Sequence, residues 1–184
     1  AAAAYLRACN YYQMAERFRT PKDKKALDTF RSGVDCFHRH AALTDVKIDI
    51  VEVPFKDGSL PGYFVHAQNS VAERQPCVVF FDGLDVTKEI QYVRGVPDLI
   101  KRGISVLVMD GPGTGEAIRF RGHYLRYDYE VAGSACIGFL AKRTDFDVPV
   151  DRRLIHGIAR DVLVQTSKIG FGHTSTYGEI AKKI

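Results

Sequence analysis

Hydrophobic positions change their spacing along this chain, and each change marks a different kind of element. Up to about residue 43 the spacing is helical. Leu27, Phe30, Val34, Phe37 and Ala41 recur at three- and four-residue steps, which places them on one stripe of a helix. The first 43 residues are therefore predicted to form two helices. Thr20-Pro21 is the expected start of the second, with a hydroxyl for the cap and proline at the first helical position. The stripe suits simple packing, and a lid over an active site is the functional alternative.

From Val46 the period becomes two. Val46, Ile48 and Ile50 alternate with Asp45, Lys47 and Asp49, and then Val51, Val53 and Phe55 continue in the opposite phase. A strand with a bulge near Ile50 accounts for the slip. Lys56-Asp57-Gly58 reads as a hairpin turn and Leu60 to Ala67 as the returning strand. Pro76 to Phe81 and Ile104 to Met109 are continuous apolar runs, as expected of strands buried on both faces. Between them Thr87 to Arg102 reads as a helix, closed by Lys101-Arg102 and then Gly103. A longer helix is expected from about Tyr124 to Lys142. A hairpin followed by strand–helix–strand–helix predicts an α/β fold: an N-terminal helical cap, an antiparallel hairpin, then parallel strands.

After Phe146 the texture shifts. Leu154, Ile158 and Val162 mark a helix ending near Ile169, and Thr176-x-x-Glu179 is a capping box opening a last helix, Tyr177 to Ile184. The expected divisions are thus a helical cap segment over 1–44, a sheet domain over 45–146 and a helical segment over 147–184.

Composition narrows the function classes. With 46% hydrophobic and 26% charged residues in 184, the chain has enough apolar surface to fold rather than stay disordered. The uncharged stretch Val131 to Ala141 is far too short to span a bilayer, so no membrane role is expected. No basic start leads into an apolar core, so no secretory signal is read. Cys9, Cys36, Cys77 and Cys136 lie far apart without a C-x-x-C pair, which suits reduced core thiols of a cytoplasmic protein. The net charge of +4 is unevenly placed. Residues 1–150 carry 20 basic and 19 acidic side chains, and residues 151–184 carry 6 and 3.

Two loops could carry chemistry. Asp110-Gly-Pro-Gly-Thr-Gly115 follows the second buried strand, and Gly111, Gly113 and Gly115 could present N–H groups to a phosphate. A tight turn at the strand end is the stronger reading, since a third glycine at dinucleotide spacing and a Walker lysine are both missing. Phe81-Asp-Gly-Leu-Asp85 follows the first buried strand, at the place where a hydrolase draws an oxyanion donor from the backbone.

Five segments carry a resemblance. Arg7-Ala-Cys-Asn-Tyr-Tyr12, Leu60-Pro-Gly-Tyr63, Phe81 to Glu89, Asp110 to Glu116 and Tyr127-Asp-Tyr-Glu130 are similar, in order and spacing, to the α/β-hydrolase family that includes pseudooxynicotine hydrolase and fungal polyketide-shortening hydrolases. Over residues of about 5–146 the resemblance implies a helical cap followed by the first half of an α/β-hydrolase sheet. It also implies an oxyanion loop at Gly83-Leu84 and serine-type hydrolysis of an ester, or cleavage of a carbon–carbon bond beside a ketone. A small-molecule substrate and no cofactor are expected.

The nucleophile such chemistry needs is missing from the pattern. G-x-S-x-G occurs nowhere in the 184 residues; Ser134 sits mid-helix, and Ser167 and Ser175 belong to the last segment. The expectation is an incomplete hydrolase, weakly active or inactive, and a four-stranded sheet whose apolar edge could drive self-association.

The last segment has its own likeness. Arg160-Asp-Val-Leu163, Ser167 to Gly172 and Thr174 to Lys183 resemble the C-terminal domain of alkylguanine-DNA alkyltransferases, departing at Leu163 and Gly170. That resemblance implies weak DNA binding through Thr176, Tyr177, Lys182 and Lys183, with a chimera or an inactive scaffold as further readings. The histidines suggest no metal site. His38 and His40 are two apart on one helix and point in different directions, and the other four are isolated.

Overall fold

The computed structural model describes residues 1–68, 75–81, 83–143, 161, 165, 168 and 177–184. The chain divides into two compact units, Ala1–Val148 and Pro149–Ile184.

The first unit opens with α1 (Ala2–Arg17) and α2 (Lys24–Leu43). The stripe on α2 is buried as its spacing predicts: Phe30, Val34 and Phe37 are in the core, joined by Ala26, Gly33 and His40. Its start differs from expectation. Asp23 is the cap, accepting a hydrogen bond from the Ala26 N–H, and Thr20-Pro21 lies before the helix as a cis peptide. A carboxylate held in place by Arg19 at 2.7 Å makes a stronger N-terminal acceptor than the hydroxyl.

Next come β1 (Ile48–Phe55) and β2 (Gly58–Val65), paired antiparallel without interruption from Ile48 opposite Val65 to Phe55 opposite Gly58. The bulge expected near Ile50 is absent. The strand keeps the phase of Val51, Val53 and Phe55 throughout, which leaves Ile50 exposed. Asp49 falls on the same face as the apolar residues and is met by His66 at 2.7 Å and Arg143 at 3.3 Å. The turn is tight, with Lys56 in the left-handed region at φ 50°.

β3 (Cys77–Phe80), α3 (Lys88–Lys101) and β4 (Ser105–Met109) follow. The strand order is β1-β2-β4-β3, with β3 and β4 parallel and the other pairs antiparallel. β4 is buried at every position, as predicted. β3 is not: it lies at one end of the described sheet and Val78 stays 37% exposed. α3 stops at Gly103, whose φ of 78° is the left-handed turn the sequence suggests.

α4 (Gly115–Arg121) is a short helix that ends at Gly122, in the left-handed region. The helix expected from about Tyr124 to Lys142 begins later, as α5 (Glu130–Ala141). The loop between them is tied back by the Gly113 N–H donating to the His123 carbonyl at 2.8 Å.

Helices cover both faces of the sheet. On one, Val53, Phe55, Leu60, Phe64, Leu107 and Met109 pack against Ala117 of α4 and Ala132, Cys136 and Leu140 of α5. On the other, Tyr63, Val65, Val106 and Val108 pack against Cys9 of α1, Phe37 of α2 and Tyr92, Val96 and Ile100 of α3. Alternate residues of β2 and β4 serve opposite faces because strand side chains alternate. The helical segment 1–44 therefore shares a core with the sheet.

Within the second unit α6 (Tyr177–Ala181) is shorter than the helix predicted to reach Ile184, and ends in a turn where the Lys183 N–H donates to the Ile180 carbonyl. The helix expected over 154–169 lies outside the described residues, apart from isolated positions. Among the described residues no helix is long and apolar enough to cross a membrane.

Candidate active site

β3 and β4 run parallel, so the loops after them emerge at the same end of the sheet. The loop after β3 carries Gly83 and Leu84. An added Cβ at Gly83 would meet nothing within 4 Å, and Leu84 is 62% exposed. Leu84 and Asp85 border a cavity of about 160 Å³ whose other walls include Gln13, Arg17, Phe30 and Arg119. Arg17 reaches this loop from α1, donating to the Asp85 carbonyl at 2.8 Å.

The loop after β4 is closed around Asp110, which is fully buried. Its carboxylate accepts from the Lys88 N–H at 2.8 Å, the Lys88 ammonium at 2.8 Å and the Glu116 N–H at 2.9 Å. At Gly115, φ 44°, an added Cβ would lie 2.1 Å from the Asp110 carboxylate, so alanine is strongly disfavoured there. Gly111 gives room to Tyr129, whose hydroxyl would be 1.8 Å from a Cβ there. The glycines serve close packing, and the N–H at Glu116 is already bound to Asp110.

Lys88 is the centre of a buried polar network. Besides Asp110, its ammonium pairs with Glu89 at 2.8 Å and Glu116 at 2.6 Å. Glu89 also accepts from the Tyr63 hydroxyl at 2.7 Å and the Gln13 amide at 2.8 Å, and Thr87 donates to the Gln13 carbonyl oxygen at 2.6 Å. Burial opposes the Lys88 charge, but the carboxylates of Asp110 and Glu89 outweigh it and hold the pKa well above the usual lysine value. Burial likewise opposes ionisation of Glu89, but Lys88 and the Tyr63 and Gln13 donors lower its pKa to about 2. At Asp110 burial prevails, helped by the nearby Glu89 charge, and the pKa is raised. Burial, with Lys88 close by, lowers the pKa of His38.

Of these residues the sequence marks only Asp110, as the first residue of the strand-end loop; Lys88, Glu89, Glu116, Tyr63 and Gln13 are not marked for chemistry. The available signal was the run Thr87-Lys88-Glu89 and the acid pair Asp110 and Glu116, both inside segments that carry the family resemblance. Among the described residues no group of His, Cys, Asp or Glu has a metal-holding arrangement; the three acids here surround an ammonium instead. Buried Cys9 and Cys136 are neutral thiols, since burial raises both pKa values, that of Cys136 to about 12. Ser134 is exposed in the middle of α5, far from the strand-to-helix turn a nucleophile elbow needs.

The chain is 35% identical over 166 residues to a hydrolase of Fusarium sp., LUC6, covering 85% of this chain and 39% of that protein. It is 31% identical over 161 residues to the 20-hydroxy-prefusarin hydrolase of Gibberella moniliformis, covering 84% and 38%. The chain has α/β-hydrolase homologues over most of its length. It spans about two-fifths of the length of these curated relatives. No family model matches it. The fold agrees with the crystal structure of 2,6-dihydroxy-pseudo-oxynicotine hydrolase, at a TM-score of 0.68 and 22% identity, covering 79% of this chain and 40% of that one. AbyA5 is similar at a TM-score of 0.60 and 24% identity over 78% of this chain and 40% of the other.

These matches lend no support to the alkyltransferase likeness, to DNA binding or to self-association. Of the four residues proposed for DNA, Thr176 lies outside the described residues, Tyr177 opens α6, and Lys182 and Lys183 are exposed.

Proposed function

We propose that the chain supplies the oxyanion side of an α/β-hydrolase site that acts on an ester, or on a carbon–carbon bond beside a ketone, in a small molecule. The main-chain N–H groups of Gly83 and Leu84 are the donors. The observation that carries this reading is the position of Leu84 on a cavity wall beside an open Gly83. A reacting carbonyl can approach the backbone there without meeting a side chain. Donors about 2.7–3.1 Å from the developing oxyanion stabilise it by about 2.7–4 kcal/mol each.

Attack on that carbonyl needs an activated nucleophile, and no G-x-S-x-G is present in the 184 residues. Binding and an oxyanion hole alone leave about 10³–10⁴-fold catalysis over water. Hydrolysis of a p-nitrophenyl ester by this chain is therefore expected to be slow but measurable. Gly83→Pro, which removes one donor, should slow it by about 10²–10³-fold, with a melting curve confirming that the variant is folded. Undiminished turnover in that variant would overturn the assignment.

A further inference from the structure

Tyr129 stands just before α5, and its ring reaches the carboxyl ends of β3 and β4. It meets Phe81, the residue after β3, edge-on with ring centres 5.6 Å apart. Its hydroxyl lies over Gly111, two residues past the end of β4, where an added Cβ would come within 1.8 Å of the oxygen. β3 and β4 are parallel neighbours, and in open α/β sheets ligands settle in the crevice outside the carboxyl ends of such strands. Gly83 and Leu84 follow β3 at that same end.

That hydroxyl is unclaimed among the described residues. The Tyr63 hydroxyl donates to Glu89 at 2.7 Å, the Tyr92 hydroxyl lies 3.5 Å from His40 Nε2, and the Tyr5 hydroxyl accepts from Arg39 at 3.5 Å. Tyr129 makes no side-chain hydrogen bond with any described residue. A ring that only filled space beside Phe81 would do so better without its oxygen, because a polar group drawn away from water and left unpaired is unfavourable. Nor is the oxygen sealed in. The enclosed, unbonded side-chain atoms among the described residues are Arg121 Nε, His123 Nε2, Arg126 Nε and Asp128 Oδ1, and Tyr129 itself is half-buried. Burial, helped by the Asp110 charge, raises its pKa to about 12, so the phenol stays a neutral donor.

We propose that Tyr129 touches the substrate, its hydroxyl donating a hydrogen bond to a carbonyl oxygen of a small neutral ketone or ester held at the ends of β3 and β4. The place of the ligand rests on the hydrolase reading above. Binding rather than turnover reports the contact, so Gly83→Pro and Tyr129→Phe can fail separately.

Calorimetric titration with acetophenone, and with ethylbenzene, which lacks the oxygen, tests it on the unaltered chain and on Tyr129→Phe. Acetophenone should bind saturably to the unaltered chain and about three- to tenfold more weakly to the variant, as expected for one lost neutral hydrogen bond. Ethylbenzene should bind both alike. The melting temperature of Tyr129→Phe should equal or exceed that of the unaltered chain, whereas Tyr63→Phe, which takes a donor from Glu89, should lower it. Unchanged acetophenone affinity in Tyr129→Phe, an equal loss for ethylbenzene, no saturable acetophenone binding, or a melting temperature lowered as far as in Tyr63→Phe would each overturn the proposal.

Discussion

The loops after β3 and β4 start from neighbouring parallel strands and contain glycine at comparable places, yet they are built in opposite ways. After β4 the glycines are crowded. Gly111 lies against Tyr129, Gly113 against Leu125 and Gly115 against Asp110. After β3, Gly83 has open space where a side chain would be, and Leu84 stands half in solvent. Glycine in the first loop makes way for the protein itself, whereas in the second it leaves way for something else. The first fastens the structure, and the second is the loop proposed to receive a reacting carbonyl. The network at Lys88 joins the two, since its N–H and its ammonium both reach Asp110 from the start of α3.

The contrast can be broken most severely at Lys88. Lys88→Met leaves Asp110, Glu89 and Glu116 without their shared cation, and removing one partner of a buried ionic group costs about 3–5 kcal/mol. Urea unfolding should show the loss. Gly115→Ala strains a left-handed backbone and drives a Cβ into the Asp110 carboxylate, with an expected loss of about 2–4 kcal/mol on the same measurement.

A third effect depends on pH. Glu89 falls from its ordinary 4.5 to about 2 in the fold, so its contribution is present above pH 4.5 and is lost as the pH drops towards 2. The change amounts to up to about 3 kcal/mol. Asp110, with a raised pKa, acts in the opposite sense, losing its contribution as the pH rises through the folded value. Glu89→Gln should therefore flatten the fall in stability specifically between pH 4.5 and 2, as read by unfolding at a series of pH values. The smallest effect belongs to the open loop: Gly83→Ala should alter stability by less than about 0.5 kcal/mol. A large loss there would erase the distinction between the two loops.

Much of this architecture is legible from spacing. The Phe30, Val34 and Phe37 stripe, the apolar run of β4 and the stop at Gly103 each follow from local chemistry. What escaped depended on neighbours distant in sequence. At Ile50 two phases of alternation compete, and only packing against α5 selects the one that buries Val51 and Val53. Thr20-Pro21 has the better local signature for a helix start, but Asp23 has Arg19 to hold it. Lys88 and Glu89 look like ordinary charges in the first turn of a helix. Their burial follows from Tyr63, Asp110 and Gln13, which no local pattern connects to them. The loop proposed to hold the oxyanion stands out in the sequence only by its place after a strand; the space beside Gly83 comes from the three-dimensional path of the chain.

The aromatic seam between α2 and the sheet has a consequence for how far the helices can move. Phe37 stacks on Tyr63 with ring centres 4.4 Å apart and meets Tyr92 edge-on at 5.1 Å. A helical pair fastened in this way cannot swing aside like a door without exposing three aromatic rings. At the end of α1, Arg17 donates to the Asp85 carbonyl at 2.8 Å and so ties the loop after β3 to the same helical pair.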